Sequence, residues 1–235
     1  MNRPLSSTLW IFITATVLVA ALIPFDAQLS GYARGLPEAV VAFNRTITDF
    51  GTFRWMIYGS GSLAIVAFVV HGASRSETVA GRARTASRLF SYFFVTIGSA
   101  SALVHFLKTL IGRARPEMLV ELGAYSLTPF SGDSVFESFP SGHSAAVGSF
   151  FGAFALLVPQ LRPLFLAAAL LIGVSRVIVG AHYPSDVAAG LLVGLWCAVM
   201  AAFLFARWNV LFRLDAAGWP HPKRDFDAPA KDRRQ

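Results

Sequence analysis

Charged side chains leave five neutral stretches along the chain, at residues 4–25, 55–74, 89–107, 138–161 and 187–206, each 19 to 24 residues long. The hydrocarbon core of a bilayer takes about 20 apolar residues at a helical rise of about 1.5 Å, so each stretch predicts a spanning helix. A sixth lies between Arg162 and His182, where PLFLAAALLIGV is interrupted only by Ser175 and Arg176 before VIVGA resumes. Arg176 falls 14 residues after Arg162, about 21 Å along a helix, so it emerges near the far interface, where a charge is tolerated. The pattern predicts an all-α integral membrane bundle of six helices, one domain over residues 1–206. After it, residues 207–235 form a basic tail whose polar, Pro-containing end reads as disordered. The segment LPEAVVAFNRTITDF reads equally as a short helix lying along the interface or as a packed loop.

Composition sharpens this picture. The chain is 55% hydrophobic and only 14% charged, against about 25% charged in soluble domains, which excludes an ordinary water-soluble protein. Arg3 followed by an apolar run imitates a signal peptide, but no convincing small-x-small cleavage site follows, so the run reads as an anchor. Cys197 is the only cysteine and lies inside the last stretch, so no intrachain disulfide forms.

Six spans put both termini on one side. That side collects thirteen of the 20 Lys and Arg residues, including Arg75, Arg82, Arg84, Arg88, Arg162 and the tail cations, against seven on the other. The positive-inside rule makes it cytoplasmic, and in a bacterium the loops at about 26–54, 108–142 and 180–186 face the periplasm. The net charge of +7 is therefore a topology signal with attraction to anionic lipid second, and nucleic acid is not an expected partner.

Alternating spans bring Lys108, Arg113, Arg115, His143, Arg176, His182 and Asp186 to the outer face. Several cations with two histidines and one carboxylate suit an oxyanion of more than one charge, and phosphate fits best. PSGHS, Pro140 to Ser144, opens a helix after a tight turn, so backbone N–H groups at Ser141 and Gly142 are expected to point at an anion. His182 and Asp186 are four residues apart, a spacing that lets the carboxylate hold one imidazole nitrogen while the other faces substrate. Two histidines suffice for a nucleophile or base and an acid. No metal-ligand spacing is present, and neither a metal nor another cofactor is expected. His105, one turn before Lys108, and Arg113 are candidates for supporting these groups from behind; Arg113 reads equally as touching substrate or lipid headgroups. Gly59, Gly61, Gly98, Gly148, Gly152, Gly173, Gly190 and Gly194 are expected to let helices approach closely.

Three motifs carry a resemblance: KTLIGRARP at Lys108–Pro116, PSGH at Pro140–His143, and SRVIVGAHYPSD at Ser175–Asp186. In this order and spacing the sequence resembles the type 2 phosphatidic acid phosphatase superfamily, and no motif position departs from the pattern. The resemblance implies that His182 attacks phosphorus to form a phosphohistidine, Asp186 orients it, and His143 protonates the leaving group. It also implies that Lys108, Arg115 and Arg176 hold the phosphoryl oxygens with Ser141 and Gly142. The expected substrate is a phosphorylated lipid of the inner membrane: undecaprenyl diphosphate, phosphatidylglycerol phosphate, phosphatidic acid or the phosphates of lipid A. Competing expectations are a phosphotransferase using the same intermediate, a transporter of phosphorylated lipids, and a haloperoxidase. Oligomeric state is not legible in the sequence.

Overall fold

The computed structural model describes residues 3–223. Helices α1 (Arg3–Leu22), α2 (Asp26–Arg34), α3 (Glu38–Asp49), α4 (Phe53–Ala73), α5 (Glu77–Ile111), α6 (Leu119–Leu122), α7 (Gly142–Leu157), α8 (Arg162–Ile178) and α9 (Pro184–Arg207) precede a hairpin of β1 (Phe212–Leu214) and β2 (Pro220–Pro222). Their ends follow local chemistry. Ser76 caps α5 by accepting from the Val79 N–H, and Gly112 ends it at φ 63°. Pro184 opens α9, where the missing donor costs nothing.

Among the described residues, five stretches are long and apolar enough to cross a membrane: Ile13–Arg34, Glu38–Ala73, Glu77–Ile111, Pro159–Ile178 and Pro184–Arg207. The multi-pass membrane architecture stands on these. The sixth expected span coincides with α7, which is apolar but has only 16 residues, about 24 Å of helix, because Pro140 and Pro159 bracket it.

Outward-facing side chains are apolar: Ile65, Val66, Phe68, Leu164, Leu170 and Leu171 are all exposed. The interior instead holds small and polar residues along α7 and α9, among them Ala145, Ser149, Ala189, Gly190, Gly194 and Ala198. Lipid offers no hydrophobic drive between helices, so close backbone approach supplies the packing. A Cβ built on Gly190 would lie 2.4 Å from the Ser141 carbonyl oxygen, and one on Gly194 2.3 Å from that of Ala145. Gly59 does not fit this expectation: nothing lies within 4 Å of such a Cβ there.

The segment over about 26–54 is mostly the helices α2 and α3, and α3 takes the helical one of the two readings of LPEAVVAFNRTITDF. In α3 the polar Asn44 and Thr48 are buried while Val40 and Phe43 are exposed. The apolar side thus faces outward, as suits a helix at a lipid boundary. At the opposite end of the bundle the chain beyond 207 is ordered further than expected. Leu211 and Phe212 are fully buried, and the Phe212 ring packs edge-on against Tyr92 at 5.0 Å. One aromatic anchor and the turn around Asp215, whose Oδ1 accepts from the Ala217 and Trp219 N–H groups, fix a hairpin in a stretch whose composition reads as disordered. Residues 224–235 of the expected tail lie outside the described residues.

Candidate active site

Helices α5 and α8 end where α7 and α9 begin, so antiparallel packing delivers the ends of four helices to one place. Lys108 comes from the last turn of α5, His143 from the first turn of α7, Arg176 from the last turn of α8, and Asp186 from the first turn of α9. His182 sits in the short turn between α8 and α9. The approach is close: the Ser141 N–H donates to the Asp186 carbonyl at 2.9 Å. A Cβ built on Gly142 would lie 3.8 Å from Lys108 Cε. Lys108, Arg115, Arg176 and His182 are all near enough to His143 to act on its charge.

Asp186 is fully buried and heavily bonded. Its Oδ1 accepts from Arg113 Nη1 at 2.7 Å, and its Oδ2 accepts from Ser138 Oγ at 2.6 Å and from the Tyr183 N–H at 2.9 Å. A buried carboxylate so held has one orientation. His182 Nδ1 stands 3.7 Å from that Oδ2, an ion-pair separation longer than a hydrogen bond. The ring nitrogen remaining for a substrate is therefore Nε2. Burial pulls the His182 pKa from 6.5 down to about 4, against the opposing pull of Asp186 and with Lys108 and Arg176 adding to the fall. The imidazole is neutral near pH 7 and keeps a lone pair for attack.

The cations divide into two kinds. Among the described residues, Arg113 makes ion pairs with Asp26 and Asp186, whereas none joins Lys108, Arg115 or Arg176 to a carboxylate. Lys108 is buried and donates Nζ to the Glu137 carbonyl. Arg115 donates Nε to the Ser134 carbonyl at 2.9 Å, and Arg176 donates Nη1 to Thr48 Oγ1 at 3.1 Å. Buried Arg176 Nε has no partner among the described residues. Three positive side chains without carboxylates beside a neutral imidazole make a seat for a multiply charged oxyanion.

The geometry corrects two expectations, at Ser141 and His105, and gives Arg113 the supporting place that was one of its expected alternatives. Arg113 reaches neither substrate nor headgroups: it is 5% exposed, its Cζ lies 4.2 Å over the Tyr183 ring, and it braces Asp186. Its long side chain turns inward because two buried carboxylates wait there. Ser141 does not offer its backbone N–H to an anion, since that group is bonded to Asp186; its hydroxyl caps α7, accepting from the Ser144 N–H and Oγ. The N–H groups of Gly142 and His143, in the first turn of α7, are those a helix leaves without an intrahelical acceptor. His105 is exposed on α5 whereas Lys108 is buried; three residues along a helix leave the two side chains about 60° apart, enough to carry His105 past the edge of the buried face.

Asp26, Ser138 and Ser185 escaped the sequence reading. Ser138 stands two residues before the PSGH motif, and Ser185 lies within SRVIVGAHYPSD. The one signal at Asp26 was its position as the first charge after the first apolar stretch.

Residues 89–210 match the PAP2 superfamily. Lipid A 1-phosphatase of Rhizobium johnstonii (strain DSM 114642 / LMG 32736 / 3841) is 41% identical over 223 residues, covering 95% of this chain and 91% of that protein. Undecaprenyl-diphosphatase BcrC of Bacillus subtilis (strain 168) is 33% identical over 136 residues, 55% of this chain and 63% of its own. The fold is shared with the transmembrane PAP2 type phosphatidylglycerolphosphate phosphatase of Bacillus subtilis, at a TM-score of 0.58 and 23% identity over 88% of this chain and 98% of that one. It is also shared with Aquifex aeolicus LpxE, at a TM-score of 0.53 and 21% identity over 75% and 94% of the respective chains.

Proposed function

Since the chain belongs to the PAP2 superfamily, as a membrane lipid phosphatase of that family, we propose that it removes the 1-phosphate of lipid A through a covalent phosphohistidine. The observation that carries the mechanism is a buried, neutral His182 backed by a rigid Asp186 and faced by Lys108, Arg115 and Arg176, none of which forms an ion pair with a carboxylate among the described residues. The substrate rests on the extent of the likeness to lipid A 1-phosphatase, which runs through 95% of this chain.

In the first step His182 Nε2 bonds to phosphorus while the bond from phosphorus to the sugar oxygen breaks, and His143 protonates that leaving oxygen. In the second, water attacks phosphorus, His143 takes its proton, and the nitrogen–phosphorus bond breaks to give inorganic phosphate. Lys108, Arg115 and Arg176 hold the three non-bridging oxygens in both steps, with the first N–H groups of α7 at the same spot. Ser141 steadies that turn as a cap. Positive charge that develops on the imidazole is balanced by Asp186.

The site end of the bundle faces the periplasm of a bacterial inner membrane, with six spans and cytoplasmic termini. The opposite end carries the greater share of Lys and Arg, in keeping with the positive-inside rule. Phe25, Leu29, Tyr32, Phe43 and Phe50, all exposed on and beside α2 and α3, surround this end with apolar surface. Acyl chains then stay in lipid while the phosphate reaches the cations.

Purified protein is expected to release phosphate from the 1-position of lipid A with EDTA present. Undecaprenyl diphosphate, phosphatidylglycerol phosphate and phosphatidic acid should be turned over more slowly. Equal rates on all four would remove the substrate assignment, and loss of activity in EDTA would remove the metal-free chemistry. The pH profile offers a separate check. Protonation blocks the His182 lone pair, so kcat/KM, corrected for the substrate's second ionisation near about pH 6, should fall tenfold per unit only below about 4. An acid limb at the ordinary imidazole value of about 6.5 would contradict a desolvated nucleophile.

A further inference from the structure

Behind the His182–Asp186 pair lies a second carboxylate on a helix that carries none of the three motifs. Asp26, the first residue of α2, is fully buried. Its Oδ2 accepts from Arg113 Nη2 at 2.8 Å and from Ser185 Oγ at 2.5 Å, and its Oδ1 accepts from the Ser185 N–H at 2.9 Å. Arg113 Nη1 then donates to Ser185 Oγ at 2.8 Å and to Asp186 Oδ1 at 2.7 Å. The guanidinium completes its set on the Ala124 carbonyl, through Nε at 3.1 Å and Nη2 at 2.8 Å. All five of its N–H groups are thereby engaged, and one geometry is fixed.

From this arrangement we infer that Asp26 is a positioning residue for phosphoryl transfer, cancelling the charge of Arg113 so that Asp186 keeps its negative charge for His182. The inference rests on the phosphatase reading and deepens it. A buried arginine alone would offset Asp186, and the pair would present His182 with no net charge. With Asp26 added, two carboxylates and one guanidinium leave a net charge of minus one beside the imidazole. That charge matters most once Nε2 has bonded to phosphorus and the ring has become cationic. Arg113 fixes where Asp186 points, and Asp26 preserves what Asp186 does electrostatically. Helix α2, which carries Asp26, is thus part of the machinery as well as its apolar surround.

The test is a charge-balance series on the full-length protein in detergent micelles with lipid A. Rates are normalised to folded protein by size exclusion, and wild type and His182→Ala are run alongside. Asp26→Asn, nearly isosteric, should lower kcat about tenfold, the low end of the loss that follows removal of a partner behind a metal-bound histidine, and should leave KM nearly unchanged. Arg113→Gln leaves two buried carboxylates facing each other and should lose about thirtyfold. Asp26→Asn/Arg113→Gln restores the net charge of minus one and should turn over faster than either single variant. A purely structural role predicts the reverse, the double variant being the slowest. Should Asp26→Asn fail to fold, the double variant against Arg113→Gln alone carries the same comparison. Wild-type kcat in Asp26→Asn, or a double variant slower than Arg113→Gln, overturns the inference. Wild-type turnover in His182→Ala would instead overturn the phosphatase mechanism beneath it, and the two failures are distinct.

Discussion

His182→Ala is expected to lower phosphate release from lipid A by on the order of 10^5-fold, because the substitution removes the atom that bonds to phosphorus and not a group that merely assists. The residue is 3% exposed and four positions from Asp186, whose Oδ2 its Nδ1 approaches to 3.7 Å without a hydrogen bond. No other bond of the buried network depends on it, so the fold should survive. Lys108, Arg115 and Arg176 are untouched, and orthovanadate should still bind within a few fold of wild type. Brief incubation of wild type with labelled substrate, quenched in alkali, should leave a phosphoryl label on the protein that acid removes, as suits a phosphorus–nitrogen bond. His182→Ala should show none. A label that persists in His182→Ala, or residual activity near a tenth of wild type, would move the nucleophile elsewhere, and His143 would be the first residue to try.

The second large effect comes from a residue with no side chain. Gly190→Ala should cost about 10^2-fold in kcat and reduce the yield of folded protein, since small displacements of reacting groups have that order of effect. The added Cβ would stand 2.4 Å from the Ser141 carbonyl oxygen and 2.9 Å from Ser144 Cβ. The first contact is backbone and cannot rotate away, so α7 and α9 must separate by about an ångström to reach ordinary contact distance. His143 and the first N–H groups of α7 ride on one helix and Asp186 on the other, so the separation opens the site itself. Gly59→Ala and Gly31→Ala, where nothing lies within 4 Å, are the controls and should turn over at the wild-type rate. If Gly190→Ala matched them, the close crossing of α7 and α9 would not be what sets the site.

The sequence by itself determined where the chain meets lipid and which motif residues share an end. Four of the five neutral stretches coincide with segments long and apolar enough to cross a membrane, and the alternation of direction then follows from connectivity. That was enough to gather Lys108, Arg115, His143, Arg176, His182 and Asp186 at one face, since each lies within a turn or two of a predicted helix end. Hydrophobic periodicity was silent on buried polar pairs, which depend on contacts between distant parts of the chain. Arg113 and Asp26 are 87 residues apart, and nothing local tells an arginine bound for headgroups from one bound for two carboxylates. The same holds where backbone groups are spent. The Ser141 N–H is spent only because α9 lies alongside, and His105 and Lys108, neighbours on α5, part company only because packing buries one and leaves the other exposed. The hairpin after α9 belongs with these, because Phe212 is buried against the ring of Tyr92, far back in the chain. Local pattern fixes which solvent each residue prefers, whereas the partner of a buried charge is chosen by packing, and only the tertiary structure decides that.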